Sequence, residues 1–207
     1  MKKKLALPLL LLLVFALSRW PGLMPANFSA AYAIVFCAGL YVPGAAGWFI
    51  PLAVLAGSDL VISLVFYPHF TWTGFLLNQA PNYLAYAGLI ALGRSLGGKK
   101  PWWLLLGGGL IGAMLFYLVT NTFAWLLLPY AKTLAGWLQA LTIGQPGHAQ
   151  TWEFFRNTLS SGGLFTGLFV GAMKATQAEE EQEEEEEESE DEAEPSAEEP
   201  KPAEADP

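Results

Sequence analysis

The feature that most constrains this chain is an uncharged run of twenty-seven residues, Trp102 to Leu128. At a rise of ~1.5 Å per residue, a helix of this length can cross a hydrocarbon core of ~30 Å. A helix in the core of a soluble protein rarely runs so far without a polar face. The run therefore predicts an integral membrane protein. Further apolar segments lie at about 28–42, 48–66, 72–93 and 153–173.

The N-terminal segment combines a basic end with an apolar stretch and the small-x-small sequence Ala16-Leu17-Ser18. Secretory signal peptides and short, uncleaved first helices share this composition. We favour an uncleaved helix because the rest of the chain is itself predicted to be membrane-embedded. With this helix, the sequence predicts six spans. In either case, Lys2, Lys3 and Lys4 predict a cytoplasmic N-terminus.

The charged residues divide the chain into two parts. Residues 1–174 carry a formal charge of +8 with only two acids, Asp59 and Glu153, whereas residues 175–207 carry −16. The second part has too little apolar surface to form a core. We therefore predict a six-helix transmembrane domain at 1–174 and a disordered, acidic, cytoplasmic tail at 175–207. The tail either solvates the protein or recruits a basic partner.

The basic residues and tryptophans predict the orientation of the spans. Six spans from a cytoplasmic N-terminus place seven Lys or Arg inside and only three outside, namely Arg19, Lys132 and Arg156. This asymmetry follows the positive-inside bias, and tryptophans at the span ends match an aromatic belt. The predicted fold is an all-α, polytopic bundle in the bacterial cytoplasmic membrane. Both termini are expected in the cytoplasm, and the lipid bilayer is the first expected partner.

Asp59 interrupts the apolar run from Trp48 to Phe66. A charge near the middle of a membrane costs at least ~2.5–3.5 kcal/mol, so it should face the bundle interior with a partner or a wet cavity. Arg156 is the basic residue expected near the same depth. Asp59 therefore either lines a polar, outward-facing cavity or forms a purely structural charge pair.

Several asparagines are predicted to gather on the same outer side of the bundle. Polar groups in lipid are costly unless they are satisfied. Interhelical hydrogen bonds explain any single asparagine, whereas a shared polar site explains the set. The predicted substrate-binding residues are Asn27, Asp59, Asn82, Asn121, Arg156 and Asn157.

Glycines recur at every fourth position on two predicted helices, as Gly108 and Gly112 and as Gly163, Gly167 and Gly171. Such small-residue faces let helices approach closely. Packing within this chain and docking onto another membrane subunit both account for them.

The sequence contains little that indicates catalysis. His69 and His148 lie in predicted external connections and lack metal-ligand spacing, and no Ser/His/Asp grouping or carboxylate pair occurs. Cys37 is the single cysteine, which excludes an intrachain disulfide. We therefore predict no enzymatic activity, no catalytic or metal-binding residues, no cofactor and no nucleic-acid partner.

Four separated motifs resemble an uncharacterised family of bacterial membrane proteins to which a transport role is ascribed. The motifs are Pro25-x-Asn27-Phe28-Ser29, Pro51-Leu52 followed by Ser58-Asp59-Leu60, Thr120-Asn121 with Trp125, and Phe155-Arg156-Asn157-Thr158 followed by Leu164-Phe165-Thr166-Gly167. That family is in turn similar to the S components of energy-coupling-factor transporters. These six-helix proteins capture a vitamin or metal ion outside the cell and couple to a membrane subunit with two cytoplasmic ATPases.

The resemblance implies a substrate-capturing transport subunit with a small-molecule ligand and these coupling partners. Two alternatives stay open. One is a non-transporting membrane scaffold whose acidic tail recruits a cytoplasmic partner, and the other is a stand-alone, proton-linked carrier that uses Asp59.

Overall fold

The computed structural model describes residues 13–193, and all its regular elements are α-helices. Helix α1 covers residues 13–19 of this range. It is followed by α2 (Ala31–Tyr41), α3 (Ala46–Phe66), α4 (Trp72–Leu96), α5 (Trp102–Leu127), α6 (Leu134–Leu141) and α7 (Thr151–Ala193). The all-helical fold class is confirmed for these residues. Part of the N-terminal segment, residues 1–12, and the end of the tail, residues 194–207, lie outside the described range.

Two of the described helices, α3 and α5, are long and apolar enough to cross a membrane. Helix α2 has 11 residues and reaches only ~16 Å, about half of a hydrocarbon core. Helix α4 has 25 residues, but Asn78, Gln79 and Asn82 make it more polar. The six predicted transmembrane helices are therefore not confirmed, and two apolar helices indicate membrane association.

The outward surface of α3 is strongly apolar. Phe49, Ile50, Val61 and Val65 expose 59–73% of their surface. A protein in water rarely leaves so much large apolar surface uncovered along one helix. This exposure agrees with the length and composition of α3 in favouring a lipid environment.

Helix α2 lies at the centre of the bundle and packs against α3, α4 and α5. Most of its residues are buried, as expected for a helix that is apolar all round. Its closest contact is with α4, where two glycines bring the backbones together. A Cβ added at Gly39 would overlap the carbonyl oxygen of Ile90, and one added at Gly93 would overlap that of Phe36.

Side chains of α2 enter two apolar clusters. Tyr32 and Val35 belong to a cluster with residues of α3, α4 and α5, namely Leu55, Ala85, Tyr86, Leu89, Ile90 and Phe116. Phe36 and Leu40 belong to a cluster with residues of α5 and α7, namely Leu105, Phe165, Phe169 and Val170. Burial of these side chains fixes the rotation of α2 about its axis.

The glycines predicted to form a packing or docking face divide into two groups. Gly108 lies against Phe36 and Leu96, and Gly112 lies against Leu89, so both pack within this chain. On α7, a Cβ at Gly163 would come within 2.9 Å of Leu110, whereas the space beside Gly171 is open. The α7 glycines are thus progressively less covered toward Gly171.

The chain divides into two compact units between Ala172 and Met173, and the predicted boundary lies two residues further along. Helix α7 ends at Ala193, so residues 175–193 are helical where the sequence predicted disorder. Glutamate is a good helix former, and extending an existing helix needs no new nucleus. These two effects account for the difference.

Candidate functional site

A cavity of about 640 Å³ lies where the end of α1 and the following connection meet α2, α3, α4 and α5. Its volume is within the range of ~300–1,000 Å³ that is typical of small-molecule sites. Four of the six predicted substrate-binding residues line it: Asn27, Asp59, Asn82 and Asn121. They come from four different segments of the chain, so the fold brings them together.

Asp59 is the most buried charged group of the cavity, with 6% of its surface exposed. Its Oδ1 atom forms an ion pair with the guanidinium of Arg19 at the end of α1. Its Oδ2 atom accepts a hydrogen bond of 2.8 Å from the hydroxyl of Tyr83 on α4. Both carboxylate oxygens are therefore engaged, as a charge removed from water requires.

The partner of Asp59 is thus Arg19 and not Arg156, which corrects the pairing expected from the sequence. Arg156 is exposed, and its guanidinium lies 5.4 Å from the centre of the Trp152 ring. Both arginines were predicted on the outer side of the bundle. Charge asymmetry gives the side on which a residue lies but not the direction in which its helix faces.

Asn157 also lies outside the cavity lining, but it contacts the segment that forms the lining. Its Nδ2 atom donates a 3.0 Å hydrogen bond to the carbonyl oxygen of Ala26. The next residue, Asn27, has a φ of 63°, in the left-handed region that asparagine tolerates better than most residues. The carbonyl oxygen of Asn27 accepts a 3.1 Å hydrogen bond from the hydroxyl of Tyr32. This part of the lining is therefore held from α7 and from α2.

The side-chain nitrogens of Asn82 and Asn121 form hydrogen bonds within the protein, and these bonds orient the two amides. Asn82 Nδ2 donates to Gln79 Oε1 at 2.7 Å, and Asn121 Nδ2 donates to the carbonyl oxygen of Tyr117 at 2.9 Å. Gln79 also lines the cavity. This arrangement leaves the side-chain oxygens of Asn82 and Asn121 as available hydrogen-bond acceptors.

Three buried aromatic residues, Tyr32, Tyr86 and Phe116, form an apolar wall of the cavity. The ring of Phe116 lies 4.7 Å from that of Tyr32 and 5.1 Å from that of Tyr86, measured between ring centres. The site therefore combines one charged pair, several amides and an aromatic surface. This combination is typical of sites that bind small organic molecules.

Sequence reasoning missed Arg19, Tyr83 and the aromatic wall. The sequence did contain one indication of the Arg19–Asp59 pair. Arg19 was predicted at the outer end of the first span, and a long arginine side chain can extend from there toward an acid at greater depth. Tyr32, Tyr86 and Phe116 lie within apolar runs where aromatic residues are common, so no comparable signal distinguished them.

A second cavity of about 390 Å³ adjoins the first. Ser63, Tyr67 and Gln79 line both cavities, and His69 and Phe70 from the α3–α4 connection line the second. Within residues 13–193, no three His, Cys, Asp or Glu side chains form a group that could hold a metal ion. The described lining of the first cavity offers hydrogen bonds, one ion pair and apolar contact.

Comparison with known proteins gives the family of the chain. No curated protein and no solved structure is similar enough to the chain to count as a match. The sequence model of one family matches residues 1–184, which covers the described bundle and part of the acidic helix. The chain therefore belongs to DUF6580, a family of unknown function.

Proposed function

We propose that this protein is the solute-capturing subunit of a membrane transport system. It binds a small organic molecule in the 640 Å³ cavity and presents it to partner subunits. The sequence contains no phosphate-binding loop of the G-x-x-x-x-G-K-[ST] type, and the proposal assigns the energy for transport to those partners.

The observation that carries this proposal is the composition of the cavity. Asn27, Asp59, Asn82 and Asn121 come from separate segments and line one space beside an aromatic wall. Asp59 is buried and Asn82 and Asn121 are partly buried, and polar groups withdrawn from water are costly unless they are paired. Separate structural roles would not require these side chains to share a cavity. A ligand that hydrogen bonds to several of them supplies a reason for the arrangement.

The topology in this proposal is the one expected from the charges, with six membrane segments and both ends in the cytoplasm. The short α2 crosses only part of the bilayer, and the non-helical residues that precede it line the cavity. Irregular backbone at membrane depth is tolerated where it lines a polar cavity rather than lipid.

The proposed docking face for a coupling subunit is the uncovered side of α7. Gly167 and Gly171 have little or nothing packed on them, and Leu164 and Leu168 beside them each expose about half of their surface. Small residues flanked by exposed leucines allow a second membrane helix to approach closely. We propose that the partners are a membrane subunit and cytoplasmic ATPases, as the sequence-based resemblance to the S components of energy-coupling-factor transporters implies.

The capture step is tested by thermal-shift screening of the purified protein against vitamins, their precursors, amino acids and metal ions. A true ligand raises the unfolding temperature of the wild-type protein, and Asn121→Leu removes this shift because it deletes a cavity oxygen. Arg156→Gln is the matched control, since Arg156 lies outside the cavity, and it should leave the shift unchanged. A shift that is insensitive to Asn121→Leu would contradict binding in this cavity.

The coupling step is tested by purification from the native membrane under mild conditions. A membrane subunit and ATPases should co-purify with the wild-type protein, and Gly171→Leu should reduce their recovery by blocking the docking face. Gly57→Leu, which also faces open space, is the control substitution. Recovery of only a soluble partner that depends on the acidic residues would favour a scaffold instead.

A further inference from the structure

The lining of the 640 Å³ cavity also defines the charge of the solute that it can hold. Among the residues that line it in the described part of the chain, only Arg19 and Asp59 are charged. They form an ion pair, so the lining is neutral as a whole. A solute without net charge preserves this balance, whereas a charged solute adds an uncompensated charge beside the ion pair.

The two members of the ion pair are not equally available to a solute. Asp59 is the more buried of the two, and its oxygens are taken by Arg19 and Tyr83. The Arg19 side chain is more exposed, and a guanidinium carries five N–H donors. Its Nε atom is itself buried, so a solute can reach the guanidinium only through the terminal nitrogens. A carboxylate matches the geometry of these donors best.

A second group of cavity atoms requires the opposite chemistry. The nitrogen atoms of Asn82 and Asn121 are directed to Gln79 and to the backbone of Tyr117. Their side-chain oxygens are left as acceptors, on helices α4 and α5. These oxygens are suited to the N–H groups of an amine or ammonium. The cavity thus offers donors from α1 and acceptors from α4 and α5.

From these three features we infer that the solute is a small zwitterion of the amino-acid type, with a carboxylate that binds Arg19 and an ammonium group that binds the oxygens of Asn82 and Asn121. Its remaining, apolar part lies against the wall formed by Tyr32, Tyr86 and Phe116. This inference rests on the proposed capture function and adds the chemical class of the solute.

The test compares three forms of the same molecule in binding to the full-length protein in lipid nanodiscs. Each amino acid in a panel with apolar and aromatic side chains is measured beside its amide, which is a cation, and its N-acetyl derivative, which is an anion. At least one amino acid should bind, and both of its derivatives should bind at least tenfold more weakly. Equal or tighter binding of either derivative would overturn the inference.

Two variants identify the groups that recognise the two charges. Asn121→Leu leaves the ion pair intact and should reduce the preference for the amino acid over its N-acetyl form. The double variant Arg19→Gln/Asp59→Asn removes both charges, so it avoids an unpaired buried charge, and it should abolish the preference for the amino acid over its amide. If both preferences persist in the variants, the assigned groups are wrong and the inference fails.

Failure of this inference is distinguishable from failure of the proposed function. If a solute of another class binds, and Asn121→Leu weakens its binding, the zwitterion is wrong but the capture function stands. If neither the panel nor the wider library of vitamins and ions binds the protein, both are wrong.

Discussion

Arg19, the last residue of α1, forms an ion pair with Asp59 on α3, and the second oxygen of Asp59 accepts a hydrogen bond from Tyr83 on α4. One buried carboxylate therefore connects three helices. The acid in the apolar run is not an isolated charge, because its electrostatic cost is offset by two partners. It also lines the 640 Å³ cavity.

The ion pair predicts strong coupling between its two members. Arg19→Gln leaves a buried carboxylate without its cation, and Asp59→Asn leaves a guanidinium without its anion. Each single substitution should lower the free energy of unfolding by ~3–5 kcal/mol. The double variant should lose much less than the sum, because no charge is left unpaired. Chemical denaturation in detergent micelles measures all three, and additive losses would show that the pair is not coupled.

Loss of the hydrogen bond from Tyr83 to the same carboxylate should lower the free energy of unfolding by less than loss of one member of the ion pair. Tyr83→Phe removes one hydrogen bond to a charged acceptor and should cost ~1.5–3 kcal/mol of unfolding free energy. Tyr67→Phe is the control, because Tyr67 lines the cavity without a hydrogen bond to Asp59. The same denaturation experiment applies, and equal losses in the two variants would argue against a specific role of Tyr83.

The α2–α4 contact predicts that two glycines cannot be replaced. Gly39→Ala and Gly93→Ala place a Cβ on a backbone carbonyl of the opposite helix, and each should destabilise the protein by ~1–3 kcal/mol or more. Gly88→Ala on α4 faces open space and should instead stabilise the helix by ~0.5–1 kcal/mol. Thermal unfolding separates these outcomes. A melting temperature for Gly93→Ala at or above that of Gly88→Ala would contradict the close approach.

Loss of the Asn157 side chain should loosen the part of the cavity lining that it contacts. Asn157→Leu removes the hydrogen bond to Ala26, so the amides of residues 22–29 should exchange with solvent deuterium faster. Arg156→Gln at the neighbouring position removes only a contact with Trp152 and should leave this exchange unchanged. Hydrogen-exchange mass spectrometry measures both variants. Unchanged exchange in Asn157→Leu would mean that other contacts hold the segment.

The proposed orientation predicts the location of residue 174. A green fluorescent protein fused after Lys174 should fluoresce, and alkaline phosphatase fused at the same position should be inactive, because both report a cytoplasmic end. The same fusions after Lys132 should give the opposite result. Phosphatase activity at Lys174 would overturn the orientation.

The sequence predicted the positions of the helices well wherever long uncharged runs occur. The run from Trp102 to Leu128 corresponds to α5, and the segment at 48–66 corresponds to α3. The segment at 28–42 became the shorter α2, because the residues before Ala31 form an irregular connection held by side-chain hydrogen bonds. Another bond, from Asn157 to Ala26, joins this connection to a distant part of the chain, and such a contact leaves no local pattern. Helix formation past residue 174 was not predicted, because a glutamate-rich composition indicates disorder and does not show that the preceding helix continues into it.

For the candidate site, too, the sequence predicted which residues lie on one side of the bundle but not which residues contact each other. The cost of placing polar groups in lipid predicted that Asn27, Asp59, Asn82 and Asn121 would gather on one side, and they line one cavity. That they bind a substrate stays a prediction. Arg156 was preferred over Arg19 because depth could be estimated from the sequence, whereas the rotation of each helix could not. Gly39 and Gly93 were missed because close contact between backbones depends on which helices are neighbours.

Blocking the 640 Å³ cavity shows whether it holds a solute. Thr120 on α5 lines the cavity, whereas Leu118 on the same helix is exposed on its outer surface. Native mass spectrometry of protein extracted gently from its own membrane should show one bound small molecule in the wild-type protein and in Leu118→Trp. It should show none in Thr120→Trp, provided that this variant unfolds as cooperatively as the control. An equal amount of the same molecule bound to folded Thr120→Trp would mean that the solute does not bind in this cavity.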